Sequence, residues 1–197
     1  MITKLLLIFF TSIFIENCVF TKFYGICPFI ATTKKTSSAL GMGLSVAVVM
    51  TLSGAVTWAL YRFVLVPFDL TYLKTVVFLL VIGFFVQLLE LVLKAYRPRL
   101  CEELGIYLPL IATNCAVLGT CLTNVAEFKG TFDHFATAVT YSLGSAIGFF
   151  LAMLLFASVR SRLKEDMIPK AFRGLPIALI SAGLCALALA GFSRLSF

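Results

Sequence analysis

Two short phrases in this sequence place a thiol beside a proline, and they are nearly the same phrase. Ile26–Lys35 reads ICPFIATTKK and Tyr107–Val117 reads YLPLIATNCAV. With Pro28 set against Pro109, both run proline, apolar residue, isoleucine, alanine, threonine, and then Thr33 or Asn114. Cys27 precedes the first proline, and Cys115 lies six residues beyond the second. A cysteine thiolate is a nucleophile and a ligand for soft metals. A buried free cysteine can also be only a small hydrophobe, and that reading suits Cys18, Cys101, Cys121 and Cys185 taken singly. For Cys27 and Cys115, the matching positions favour a metal or redox role over packing. A disulfide would need no repeated interruption. None of the six cysteines forms a C-x-x-C pair, so zinc-ribbon and thioredoxin-like signatures are lacking. Two thiolates would fill half a metal site, since structural zinc takes four ligands and iron–sulfur clusters usually take four cysteines. His134, the only histidine, falls in a loop between apolar runs. The missing ligands are therefore expected from another chain.

The elements that hold these phrases must live in lipid. Of the 197 residues, 61% are hydrophobic and 13% charged, against about 45–50% and roughly 25% in soluble domains. The net charge of +7 is spread in short basic clusters between apolar runs, the pattern of membrane topology rather than of nucleic-acid binding. The N-terminal run behind Lys4 resembles a signal peptide but lacks a small-residue cleavage site, and is read as a retained first span. A membrane helix needs about 20 apolar residues, which predicts six spans. They are Leu5–Ile30, Ala39–Leu60, Tyr72–Leu93, Leu104–Leu122, Phe135–Val159 and Ala171–Phe192, in a single integral membrane domain covering residues 1–197. The expected class is an all-α polytopic membrane protein.

Orientation follows from basic residues. Ten of them (Lys34, Lys35, Lys94, Arg97, Arg99, Arg160, Arg162, Lys164, Lys170, Arg173) fall on one face, and five (Lys4, Arg62, Lys74, Lys129, Arg194) on the other. The first face is expected to be cytoplasmic, with both termini outside. The repeated phrase opens each half, about 1–93 and 94–197, and three spans per half make the halves an inverted repeat. Spans one and four are then interrupted at mid-membrane, at Gly25 and Pro28 and around Pro109 and Asn114, and such interruptions mark functional sites. Inverted symmetry makes Cys27 and Cys115 neighbours. The small residues of ALGMGLSVA and SLGSAIGFF predict close helix packing. Asn114 is expected to tie the broken backbone, Glu90 to pair with Lys94, and Trp58, Tyr61 and Tyr72 to form an interfacial belt. Glu16, Asn17 and Glu90 are weaker candidates for an ion path.

Four segments, ENCVFTKFYGICPF, KKTSSALGMGL, LGIYLPLIATNCAVLG and PKAFRGLPIALISAGL, resemble the A-type membrane subunits of Rnf ferredoxin:NAD oxidoreductase complexes. That family includes the D and E subunits of sodium-translocating NADH:quinone reductase. Lys22 before Phe-Tyr-Gly, Pro28 after the cysteine, and ALGMGL favour the A type over the E type. The resemblance covers nearly the whole chain. It implies a six-span subunit of the bacterial inner membrane, paired with a homologous six-helix Rnf E-type subunit, together with the rest of the complex. It also implies that Cys27 and Cys115 supply two of the four ligands of an intramembrane [2Fe–2S] cluster shared with that partner. Electron transfer from ferredoxin to NAD would be coupled to sodium or proton export, with flavin and NAD chemistry on other subunits, since this chain has no Rossmann fingerprint. Two other readings stand beside it: an E-type subunit of the quinone reductase, and a secondary transporter with its site at the helix breaks.

Overall fold

The computed structural model describes residues 2–33, 36–96, 108–127, 132–162, 169, 172 and 174–193. The described residues contain helices and no strands, as lipid requires of a chain that must satisfy its own backbone. In order they are α1 (Ile2–Phe14), α2 (Ile26–Thr32), α3 (Thr36–Leu60), α4 (Lys74–Tyr96), α5 (Leu108–Ala112), α6 (Cys115–Glu127), α7 (Phe132–Arg162) and α8 (Leu175–Ser193). A π-helical turn at Tyr61–Leu65 extends α3. Among the described residues, Ser38–Leu65, Thr71–Ala95, Pro109–Glu127 and Phe135–Arg162 are long and apolar enough to cross a membrane. Thr3–Phe14 and Leu175–Ala188 are shorter apolar helices.

The core lies where α3, α6 and α7 pack together, around Met42, Val46, Met50, Val117, Phe149 and Met153. The small residues foreseen in the sequence allow this closeness. On α3, a Cβ at Gly43 would stand 2.9 Å from the Phe150 ring of α7. On α7, Gly144 and Gly148 form a small-xxx-small step that lets α1 lie close, with carbonyl oxygens of Phe9 and Ile13 at 3.1 and 3.3 Å from the missing Cβ positions. By contrast, among the described side chains α4 buries only the stripe Phe78, Ile82 and Val86, while Leu80, Phe84 and Leu91 are exposed. That spacing is one helical face. The rest of α4 and most of α8 present leucines outward, an apolar surface suited to lipid or to a membrane partner.

Two expectations are corrected here. Trp58 is buried at 6% exposure against Phe135, with ring centroids 5.4 Å apart, so it belongs to the core and not to an interfacial belt. Tyr72 is exposed, as expected. Pro28 also does not break its helix. It is the third residue of α2, which starts directly after Gly25. In a first turn the missing N–H has no intrahelical partner to lose, so this proline begins a short helix; the residues just before Leu108, which would decide the same for Pro109, lie outside the described ones. The first interruption is residues 15–25, wider than the sequence indicated, and the second is Thr113–Asn114. The Lys94–Glu90 pair forms as foreseen, at 2.6 Å across one helical turn. Cys101 lies outside the described residues.

Candidate functional site

The repeated phrase folds the same way twice. Thr32 Oγ1 donates to Pro28 O at 2.6 Å, and Thr113 Oγ1 donates to Pro109 O at 2.9 Å. Each hydroxyl bonds back to the carbonyl one turn earlier, and Pro109 O also accepts from Thr113 N at 3.1 Å. Beyond the threonines the two copies diverge. Thr33 Oγ1 and Ile30 O both accept from Arg160 Nη1 of α7, at 3.0 and 2.8 Å, which ties the end of α2 to that helix. Asn114 instead starts a new helix. Its Oδ1 accepts from Ala116 N at 3.0 Å, an N-capping contact at the head of α6.

A second echo escaped the sequence reading. Asn17 Oδ1 accepts from Val19 N at 3.0 Å, the same bond two residues on, and Asn17 also precedes a cysteine. Its Nδ2 donates to Ile13 O and Gly148 O at 3.2 and 3.0 Å, closing the end of α1 onto α7. The signal was present as the dipeptide Asn-Cys at 17–18 and 114–115. This assigns Asn17 to the scaffold. Glu16 pairs with Lys22 at 3.6 Å, and Lys22 Nζ also donates to Tyr141 Oη at 3.3 Å.

The two interruptions meet at Gly25. Its backbone takes φ +81°, and its N–H donates to Cys115 Sγ at 2.9 Å. A Cβ there would fall 2.7 Å from Phe149 Cε2, 3.1 Å from Ala116 Cβ and 3.2 Å from Asn114 Oδ1. Glycine is required twice over, for the left-handed conformation and for the space. Tyr24 packs against Gly119 one turn further along α6, so the whole interruption leans on α6. The sequence marks Gly25 as a break but not as a donor to Cys115, because that role depends on a contact across ninety positions of chain.

Cys27 is the second residue of α2 and Cys115 the first of α6, and both are exposed on this chain. The structure brings Cys115 to within hydrogen-bonding distance of the backbone two residues before Cys27. Cys18 and Cys121 are buried, and their thiols donate weakly to Ser145 O at 3.9 Å and Ser53 Oγ at 3.7 Å. Cys185 is half-buried in the packing around the core. Among the described residues, no group of three or more His, Cys, Asp or Glu side chains is placed to hold a metal ion. The chain's own contribution at the junction is thus two outward thiols, with a backbone N–H already aimed at one of them.

The described residues are helical, and four of the helices are long and apolar enough to cross a membrane, which defines the class of integral membrane proteins. The family model described as "Rnf-Nqr subunit, membrane protein" matches residues 5–196. The chain is 49% identical over 182 residues to the A-type subunit of the ion-translocating oxidoreductase complex of Azoarcus sp. (strain BH72), covering 92% of each chain. It is 44% identical over 189 residues to the A-type subunit of the Na(+)-translocating ferredoxin:NAD(+) oxidoreductase complex of Acetobacterium woodii, covering 96% of each. It is 46% identical over 193 residues to the A-type subunit of the ion-translocating oxidoreductase complex of Salmonella paratyphi B, covering 98% of each. The chain belongs to the Rnf-Nqr family of membrane subunits, and these relatives are subunits of ion-translocating oxidoreductase complexes.

Proposed function

We propose that this chain is the A-type membrane subunit of a redox-driven ion translocase that moves electrons from ferredoxin to NAD. In this reading Cys27 and Cys115 supply two thiolate ligands to a [2Fe–2S] cluster shared with a homologous E-type subunit. The observation that carries it is the Gly25 N–H to Cys115 Sγ bond, which joins the two interruptions and leaves both thiols outward. The residues fit such a group. The donor set is two soft sulfurs, and backbone N–H bonds to ligand sulfur are a recognised means of tuning iron–sulfur sites. Cys115 heads a helix of 13 residues, whose N-terminal dipole favours negative charge on its sulfur. When bound, the cluster would accept and release single electrons; the protein's part is to fix both ligands and to keep water away.

The length of α7 supports a mid-membrane depth for the site. Phe149, packed at Gly25, precedes Arg160 by eleven residues. At 1.5 Å per residue that is about 16 Å, roughly half of a ~30 Å hydrocarbon core. With Arg160 at the cytoplasmic surface, the junction sits near the midplane. The same reading counts six spans in two inverted halves, with α1 and α2 forming span one and α5 and α6 span four. Both termini lie outside the bacterial inner membrane, where the chain docks with the other subunits of the complex.

The test is the purified complex carrying Cys27→Ser or Cys115→Ser. Both variants are expected to lose the cluster's electron paramagnetic resonance signal and ferredoxin-dependent NAD reduction together, while Cys18→Ser and Cys121→Ser keep both. An unchanged signal in either of the first two variants would refute the ligand assignment.

A further inference from the structure

Away from Cys27 and Cys115, α3, α6 and α7 enclose a seam of polar groups, with the Cys121 thiol donating to its Ser53 Oγ. Ser53, Thr57, Asn124 and Ser142 all have zero exposure. Each hydroxyl hydrogen among them is committed to a backbone carbonyl. Ser53 Oγ donates to Met50 O at 3.3 Å, Thr57 Oγ1 to Ser53 O at 2.6 Å, and Ser142 Oγ to Ala138 O at 3.0 Å. A serine has one hydrogen to give, and with that hydrogen on Ala138 O the 2.6 Å contact between Asn124 and Ser142 has the amide Nδ2 as donor. Its Oδ1 is then left buried, with no hydrogen-bond partner.

A buried acceptor without a partner is costly, and more so in a low dielectric. The seam cannot relieve it from within, because none of the four side chains has a hydrogen left to offer Oδ1. What remains in the seam is lone pairs: Asn124 Oδ1 and the unused acceptor positions on the hydroxyls of Ser53, Thr57 and Ser142. Such a set repels an anion. It also lacks the carboxylates that divalent cations take. Neutral carbonyl and hydroxyl oxygens replacing a hydration shell are the ligands of monovalent cations inside membranes. The glycine at 54 belongs to this arrangement, since a Cβ there would lie 3.0 Å from Ser142 Cβ and 3.3 Å from Asn124 Nδ2. Its absence of a side chain lets α3 close on the seam.

We propose that this seam binds one dehydrated monovalent metal cation, with Asn124 Oδ1 as its principal ligand and the hydroxyl oxygens of Thr57, Ser142 and Ser53 around it. Asn124 lies nine residues past Cys115 on α6, about 13 Å along the helix. The site is therefore separate from the cysteine junction, and it does not require the ligand reading of Cys27 and Cys115 to hold. It places an ion stop within the membrane subunit itself.

The experiment is hydrogen–deuterium exchange on the intact purified complex, titrated with sodium chloride against choline chloride at constant ionic strength, following peptides that cover residues 50–58 and 118–127. Sodium is expected to protect both segments saturably, and choline to leave them unchanged. Thr57→Val, nearly the same shape without the oxygen, should weaken the sodium midpoint roughly ten- to a hundredfold, the range for losing one bond to a charge. Asn124→Asp should tighten it, and Asn124→Leu should abolish protection. Identical exchange in sodium and choline for the native complex would mean that Oδ1 is met by a buried water and would overturn the proposal. If Asn124→Leu does not assemble, unchanged midpoints in Thr57→Val and Asn124→Asp overturn it equally.

Discussion

Replacing Gly25 by alanine perturbs the junction at its narrowest point, and the size of the effect can be worked from two independent contributions. The residue sits at φ +81°, and a side chain in the left-handed region costs about 1–2 kcal/mol. The new methyl would meet Phe149 Cε2 at 2.7 Å and Ala116 Cβ at 3.1 Å, and overpacking of this kind typically costs about 1–3 kcal/mol. Together they come to roughly 2–5 kcal/mol, a large share of the ~5–15 kcal/mol that holds a typical protein together. Relief requires the 25–27 backbone to withdraw from α6, which lengthens the N–H to Cys115 Sγ bond. Two readouts should therefore move together: the thermal unfolding of the complex falls, and the spectroscopic signature or midpoint potential of the cluster proposed at Cys115 shifts. Gly83→Ala on α4 is the control, because nothing lies within 4 Å of its missing Cβ. That change should be neutral or mildly stabilising through helix propensity. A Gly25→Ala complex as stable as the control, with an unmoved signature, would refute the account of the junction.

Arg160→Ala should release the end of α2, since one guanidinium nitrogen serves both Ile30 O and Thr33 Oγ1. Losing hydrogen bonds to a charged donor costs about 1.5–3 kcal/mol each, visible as faster amide exchange in the segment after Pro28, and exchange unchanged there would contradict the tie. Pro28→Ala should change stability by less than about 1 kcal/mol, because this proline occupies a first helical turn where alanine fits as well; a large loss of stability would show that it shapes the interruption after all. In the chain separated from its complex, Cys27 and Cys115 should react with a maleimide within minutes while buried Cys18 and Cys121 stay protected, and equal rates for all would dismiss the distinction between outward and packing thiols.

The lipid setting was legible from composition alone, and so was the repeated phrase. Both copies make a threonine-to-proline-carbonyl bond, the one-turn bond that threonines make elsewhere in these helices too. The close packing at Gly43, Gly144 and Gly148 was legible too, because small residues at helical spacing have one dominant use in membranes. Pro28 misled, since a proline marks both the start of a helix and its interruption, and only the register of the neighbouring turn separates the two. Trp58 misled for a related reason. Its place near the end of an apolar run suits an interfacial ring, but Phe135 from α7 covers it, and such tertiary covering leaves no mark on local sequence. Gly25 and Asn17 act through α6 and α7, at separations where a single sequence holds no signal of contact.

The direction of hydrogen bonding at sulfur sorts the cysteines in a way that burial alone does not. Cys18 and Cys121 act as S–H donors, to Ser145 O and Ser53 Oγ. A thiol that donates is a protonated thiol, and its hydrogen is the group that a metal would have to displace. Cys115 is on the other side of the exchange: its sulfur accepts, from the Gly25 N–H. An accepting sulfur can be a thiolate, and a thiolate at the head of α6 meets the positive end of that helix as well. Those two features set Cys115 apart from the two donating thiols. The interruption at residues 15–25 therefore does more than make room. By turning the chain back through Gly25, it carries a backbone donor from one half of the protein to the sulfur of the other, which neither half could supply to its own cysteine by a continuous helix.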